Sequence, residues 1–321
     1  MASGDTVRTN QHYVPQLLLR GFRANTQEQV YVFDKQTGKV FRSAIRNLAC
    51  ERGFYDISGT ADLDGVMRQV EDSTAPIIQE IRDRKSVASL DDNKRIWLAG
   101  FTTMQWLRTK AFSERSQDMV RQVAECVSKM NGGELPGKIR EQLGLTSPEP
   151  EHEKVLRTIL GLAPPVLEKL LEKSLVLYRS DGSFPFWISD NPVALNNTIN
   201  RGDGIRGTLG VGVPGIEVYL PISSELTLAY MCPSIAMTCH AMDEVAARMG
   251  FIHAFARPYL SALTNGWGMI LSKDDIRLQN LLQVGHAERF VYSSQDNFSD
   301  AEKMLNDSPR MRTGPRYGRP G

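Results

Sequence analysis

Three short polar insertions stand in apolar surroundings, far apart along the chain: Gln11-His12-Tyr13-Val14-Pro15-Gln16, Gln105-Trp106-Leu107-Arg108 and Ser189-Asp190-Asn191-Pro192-Val193. Burying a polar group without a partner costs roughly 1 to 3 kcal/mol, so each of these residues needs either a partner or a task. His12, just ahead of an expected short helix, changes charge near neutral pH and suits a base, a metal ligand or a phosphate contact. It can equally fasten that helix by hydrogen bonds. Gln105 and Arg108 lie three apart and share a helix face with Trp97, Phe101 and Phe112. The planar fork of Arg108 fits a phosphate or carboxylate ligand, and fits an internal salt bridge to Glu71 or Asp190 just as well. Asp190 ends an apolar strand, where a carboxylate is held yet reachable; an Asx turn closed by Asp190 or Asn191 is the alternative. Glu71, one turn before Pro76, offers a second carboxylate or a solvated helix face.

Joined into one site, these residues would suit a metal-assisted hydrolase such as a phosphodiesterase or nuclease. Glu71 and Asp190 would bind a divalent cation, Mg or Mn, and His12 would act as base or third ligand. Arg108 would steady phosphate charge, with Tyr13, Gln105 and Asn191 contacting a nucleic acid or nucleotide. The chain lacks a Pro-Asp…Glu-x-Lys arrangement and any close carboxylate pair, both frequent in metal nucleases. A second reading is a binding module in which His12, Gln105, Arg108 and Asp190 form a pocket for a small anionic ligand or a protein terminus. A third is a buried polar network that only fixes the fold.

Periodicity supplies the elements that must position these groups. Val14 to Phe22 reads as a short helix with Pro15 in its first turn, followed by a hairpin of Val30–Phe33 and Val40–Phe41. Leu63 to Arg84, Asp91 to about Met130 and Glu153 to Lys173 carry helical spacing, with a Pro- and Gly-rich break between residues 131 and 150. Strands return as Ser174–Tyr178 and Phe184–Ile188, expected to pair across Ser180–Ser183, then Ile216–Leu220 and Leu226–Met231. Helices from Met242 to about Leu263 and from Lys273 to Val284, and a strand Phe290–Tyr292, follow.

The expected fold is α+β: an N-terminal helix and β-hairpin, central long helices, and a mostly antiparallel C-terminal sheet with covering helices. Residues 10–296 read as a single domain, with 10–58 the helix and hairpin, 63–173 helical and 174–296 sheet plus helices. Residues 1–9 and 297–321 read as disordered. The tail is a solubilising segment, or else Arg310, Arg312, Arg316 and Arg319 touch phosphates while Tyr317 stacks on a base.

Thirty-eight Lys and Arg against 37 Asp and Glu leave a net charge of +1, so no global field draws the chain onto nucleic acid or an anionic membrane. No secretory signal opens the sequence and no apolar run is long enough to span a bilayer, which reads as a soluble, cytoplasmic protein without a membrane partner. Cys50, Cys126, Cys232 and Cys239 are too scattered for a disulfide framework, as suits a reducing compartment. Cys232, Cys239 and His240 lack zinc-knuckle spacing and a second ligand pair. Gly202-Asp203-Gly204-Ile205-Arg206-Gly207 matches G-x-G-x-x-G, but the strand before it and the helix after it that a dinucleotide needs are not apparent, so it reads as a mobile loop.

The insertions carry a resemblance. Gln11 to Gln16 with Leu19-Arg20-Gly21-Phe22 resembles the opening of the DUF4238 proteins, a widespread and functionally uncharacterised microbial family. So do Phe54-Tyr55, the Gln105–Arg108 helix, Ser189 to Val193, Tyr219-Leu220-Pro221-Ile222-Ser223, and the segment from Asn280 through Ala287-Glu288-Arg289-Phe290-Val291-Tyr292-Ser293. The likeness spans about residues 10 to 294 and implies no particular activity. It does make the three insertions family motifs, which favours a shared site. The stretch from Gly202 to Gly215 departs from the pattern.

Overall fold

The computed structural model describes residues 10–24, 26–52, 63–145, 151–199 and 209–315. The expected disorder of residues 1–9, the Phe54-Tyr55 motif, the glycines from Gly202 to Gly207, and Arg316, Tyr317 and Arg319 lie outside these residues. The chain opens with β1 (Asn10–His12) and a one-turn helix α1 (Gln16–Leu19) that tightens into a 3-10 turn as far as Phe22. β2 (Gln29–Asp34) and β3 (Val40–Ala44) form the hairpin, and β4 (Cys50–Arg52) returns to pair with β1. Five helices follow: α2 (Leu63–Arg84), α3 (Asp92–Leu107), α4 (Lys110–Met130), the short α5 (Gly137–Gln142) and α6 (Glu151–Leu171). Then come β5 (Ser174–Arg179), β6 (Ile188–Ser189), β7 (Ala194–Asn197), β8 (Ile216–Ser223) and β9 (Leu226–Met231). The C-terminal part adds α7 (Pro233–Arg248), α8 (Ala256–Asn265), β10 (Met269–Ile270), α9 (Lys273–His286), β11 (Phe290–Ser293) and α10 (Ser299–Asp307).

The fold is α+β. A five-stranded sheet runs β10-β5-β9-β8-β7 and a four-stranded sheet runs β3-β2-β11-β6. Every pairing is antiparallel except β10 with β5. β8 and β9 read as near-continuous apolar runs because they are central and covered on both faces, and all six residues of β9 are buried. Among the described residues no helix is long and apolar enough to cross a membrane.

Four expectations need correction. The helix expected from Asp91 to about Met130 is two helices, since Thr109 adopts an extended conformation and its hydroxyl accepts the Phe112 N–H as the N-cap of α4. Phe184–Ile188 does not form a hairpin with β5. Pro185 cannot donate to a ladder, and the Trp187 N–H instead meets the side chain of Asn280, so only Ile188 and Ser189 pair, and they pair with β11. The helix expected from Met242 to about Leu263 begins at Pro233, a favoured first helical residue, and breaks after Arg248, with Gly250 at φ +77°.

The tail, expected to be disordered, is ordered as far as residue 315. Polar overall, it still places Phe298, Ala301, Met304 and Leu305 at helical spacing, and α10 uses them. Phe298 stacks on Phe33 with ring centres 5.4 Å apart and tilts against Trp187 at 5.0 Å. Ala301 and Leu305 are fully buried beside Val284, Ala287 and Val291. Arg312 donates to the Lys35 carbonyl and to Asn306 Oδ1, both at 3.1 Å. The segment is thus a structural cover for the four-stranded sheet. Phe298→Ala should cost about 3 to 5 kcal/mol in urea denaturation, and a loss under about 1 kcal/mol would show that α10 docks only loosely.

Candidate functional site

The first two insertions meet. Gln105, on the last turn of α3, donates from Nε2 to the Tyr13 carbonyl at 2.8 Å, tying that helix to the segment after β1. Its Oε1 accepts from Arg108 Nε and Nη2 at 3.1 and 2.7 Å. Arg108 Nη1 completes the fork on Glu71 Oε1 at 2.6 Å, so Glu71 is the acid that Arg108 pairs with. Arg108 is 3% exposed and Glu71 30%. His12 sits at the rim of this group, half-buried, with the Arg46 carbonyl, Glu71 and Arg108 around it. Burial lowers its pKa, and the Arg46 carbonyl and the Glu71 charge oppose that shift.

The third insertion is held by another set of partners. The Asp190 carboxylate accepts the backbone N–H groups of Glu288, Arg289 and Phe290 at 2.7 to 2.8 Å, and neither His12 nor Arg108 is among its hydrogen-bond partners. Burial pushes its pKa up to about 6 against the pull of the three amides and of Lys35. Asn191 takes the Thr109 hydroxyl on Oδ1 and donates to the His286 carbonyl, which links this group to the start of α4. One face of α9 supplies the rest. Asn280 Oδ1 accepts from Trp187 N while its Nδ2 donates to Pro185 O, and Gln283 Nε2 donates to Pro192 O. His286 Nε2 accepts from Leu195 N, and burial lowers its pKa to about 4, so the ring is neutral.

The structure therefore gathers His12, Tyr13, Gln105, Arg108 and Glu71 into one network and places Asp190 and Asn191 in a neighbouring one. Glu71 and Asp190, the expected cation ligands, are each engaged elsewhere. Among the described residues no three His, Cys, Asp or Glu side chains are grouped to hold a metal ion. Cys232 and Cys239 are free thiols, with Cys232 at the N-cap of α7 accepting the Ser234 hydroxyl at 3.1 Å.

Beside these closed networks lies an open cleft of about 750 Å³ between α1, the C-terminal half of α2 and the β8–β9 turn. Its key side chain is Arg82, which the insertions did not reveal. Arg82 donates from Nε and Nη2 to the Ile222 carbonyl and from Nη2 to the Leu17 carbonyl. Both acceptors are available for a structural reason. Leu17 lies in a one-turn helix too short to give every carbonyl a backbone partner, and Ile222 is the extra residue of a bulge between Pro221 and Ser223. Gly21 is required where these chains cross, since a Cβ there would lie 2.3 Å from Ile222 O and 2.7 Å from Arg82 Nη2. Burial lowers the Arg82 pKa to about 10, and neighbouring Arg23 adds to the shift. Arg20, on the rim, links this cleft to His12 through Gln16: it donates to Gln16 Oε1 at 3.0 Å, and the Gln16 amide lies 3.4 Å from His12 Nε2. Two sequence signals pointed here, the glycine of Leu19-Arg20-Gly21-Phe22 and a proline inside an otherwise apolar strand.

Two measurements probe the closed networks. Arg108→Met strands Glu71 and half-empties Gln105, and should cost about 2 to 4 kcal/mol, the lower part of the range reflecting the partial exposure of Glu71. An unchanged melting temperature would show that Arg108 is not a structural partner. The second is a pH test. The Asp190 pKa is higher folded than unfolded, so its contribution is full below the unfolded value near 3.8 and is lost as pH rises through about 6. The stability advantage of wild type over Asp190→Asn should therefore shrink between pH 4 and 6.5. An advantage that grows would mean that the amide bonds outweigh burial.

No curated protein and no solved structure matches the chain. Residues 10–297 match the family described as "Protein of unknown function (DUF4238)". That span contains the His12, Gln105–Arg108 and Ser189–Val193 networks and the cleft formed by Gly21, Arg82 and Ile222, and by it the chain belongs to the DUF4238 family.

Proposed function

We propose that this protein is a binding module for a small anionic ligand, seated in the cleft at Arg82. The observation that carries the reading is the state of that guanidinium. It is desolvated, and among the described residues its hydrogen bonds go to neutral backbone carbonyls and to no carboxylate. A half-buried cation without a carboxylate in contact is costly to keep, and a bound anion repays that cost. Arg23, exposed and without a partner among the described residues, adds a second positive charge beside it. The other ionic groups on the rim are already matched, Lys85 with Glu225 and Arg20 with Glu28. The volume falls in the range of small-molecule sites. On this reading the motif residues His12, Tyr13, Gln105, Arg108, Asp190 and Asn191 hold the scaffold around the cleft.

The competing reading is metal-assisted hydrolysis of a nucleic acid or nucleotide, with Glu71 and Asp190 on a Mg or Mn ion. It would require Glu71 to leave Arg108 and Asp190 to leave three amides. One experiment separates the two. Thermal unfolding in phosphate, sulfate, citrate and acetate, at constant ionic strength against chloride, should show an anion-dependent rise that Arg23→Gln lowers. Mg- or Mn-dependent cleavage of DNA, RNA or nucleotides that Asp190→Asn abolishes would establish the hydrolase instead.

A further inference from the structure

We infer that the anion is a phosphoryl group, presented by a small organic phosphate monoester; this rests on the reading of the cleft as an anion site. Donor geometry selects this chemistry. An arginine binds a planar carboxylate best through two parallel N–H groups, either from Nε and one terminal nitrogen or from the two terminal nitrogens. Arg82 can offer neither edge. Nε and Nη2 are consumed by Ile222 and Leu17, and only Nη1 is left to point a donor at a ligand. The remaining donors come from separate residues. Arg23 supplies a second guanidinium, and Ser224 lines the cleft, its hydroxyl without a partner among the described residues. Three donors on three side chains match three oxygens spread around a tetrahedral centre better than two oxygens in one plane.

Charge points the same way. Two cations without carboxylate contacts among the described residues, Arg82 and Arg23, match a dianion. Among the described residues the acidic groups nearby are Glu225, bound to Lys85, Glu28, bound to Arg20, and Asp83, which takes the Gln79 amide at 2.8 Å. Leu17, Ala75 and Pro76 also line the cleft and give it an apolar part that a bare phosphate ion would leave uncovered. That apolar part is the reason to expect an organic body on the phosphoryl group.

The test is calorimetric titration of the full-length protein with phenyl phosphate, inorganic phosphate and benzoate at constant ionic strength. Phenyl phosphate should bind, inorganic phosphate should bind more weakly, and benzoate should give no heat. Arg23→Gln, at an exposed position, should keep the melting temperature and weaken phenyl phosphate about ten-fold, as loss of one charge-assisted hydrogen bond implies. Binding should also weaken from pH 7.5 to pH 5, since the second phosphate ionisation lies near about pH 6 and no histidine is among the described residues lining the cleft. Benzoate binding as tightly as phenyl phosphate, or an affinity indifferent to pH, would overturn the phosphoryl assignment and leave the anion module standing. Equal affinity for inorganic and phenyl phosphate would overturn the organic monoester. If none of the three binds in an Arg23-dependent way, both the assignment and the module fall.

Discussion

The rest of the fold depends on a buried carboxylate that grips a turn. Asp190 stands at the end of β6 and takes three successive N–H groups at the junction of α9 and β11. The first two donors, Glu288 and Arg289, belong to backbone that has just left a helix and has not yet entered a ladder, and the third, Phe290, opens β11, so Asp190 spans the junction. The grip sets the start of β11, hence its register against β2, and fixes the direction of α9. Its cost is visible in the raised pKa, for burial is the larger influence and the amides only partly offset it.

With α9 aimed in this way, its polar face replaces a missing strand. The chain from Pro185 to Leu195 runs beside it with few ladder partners, and Asn280, Gln283 and His286 meet its backbone groups one after another. This explains why a helix that packs into the interior carries three amide or imidazole side chains on its inner face. Gln105 does comparable work at the other end, where one side-chain amide joins α3 to the Tyr13 carbonyl and carries Arg108 and Glu71 with it.

Local pattern was legible in the sequence wherever one face of an element meets the core. The hairpin β2–β3, the helix α2 and the strands β8 and β9 were visible from apolar spacing alone, and the α+β class followed from their order. Partnership was not legible. Nothing local in Phe184–Ile188 says that Asn280, almost a hundred residues on, will claim the Trp187 amide. The reading of the tail failed because overall composition was polar while four apolar residues at helical spacing were enough to dock it. At the candidate site, the polar insertions were correctly read as needing partners. The open cleft escaped notice because its central arginine lies on an ordinary amphipathic helix, and only the bulge at Ile222 and the bare Cα of Gly21 make room for it.

The strand order β3-β2-β11-β6 has a consequence for how the chain acquires its structure during synthesis. The first two strands are made within the opening fifth of the sequence, yet their neighbour in the sheet is β11, and the Asp34–Arg289 ion pair across that seam spans 255 positions. Closing so long a loop is entropically slow, and until it closes the inner face of the hairpin, with Phe33 foremost, has no cover. A nascent chain on the ribosome thus carries an unpaired apolar edge for nearly its whole translation. Such an edge is open to chaperones, and to pairing with a second nascent chain, until the last strand emerges.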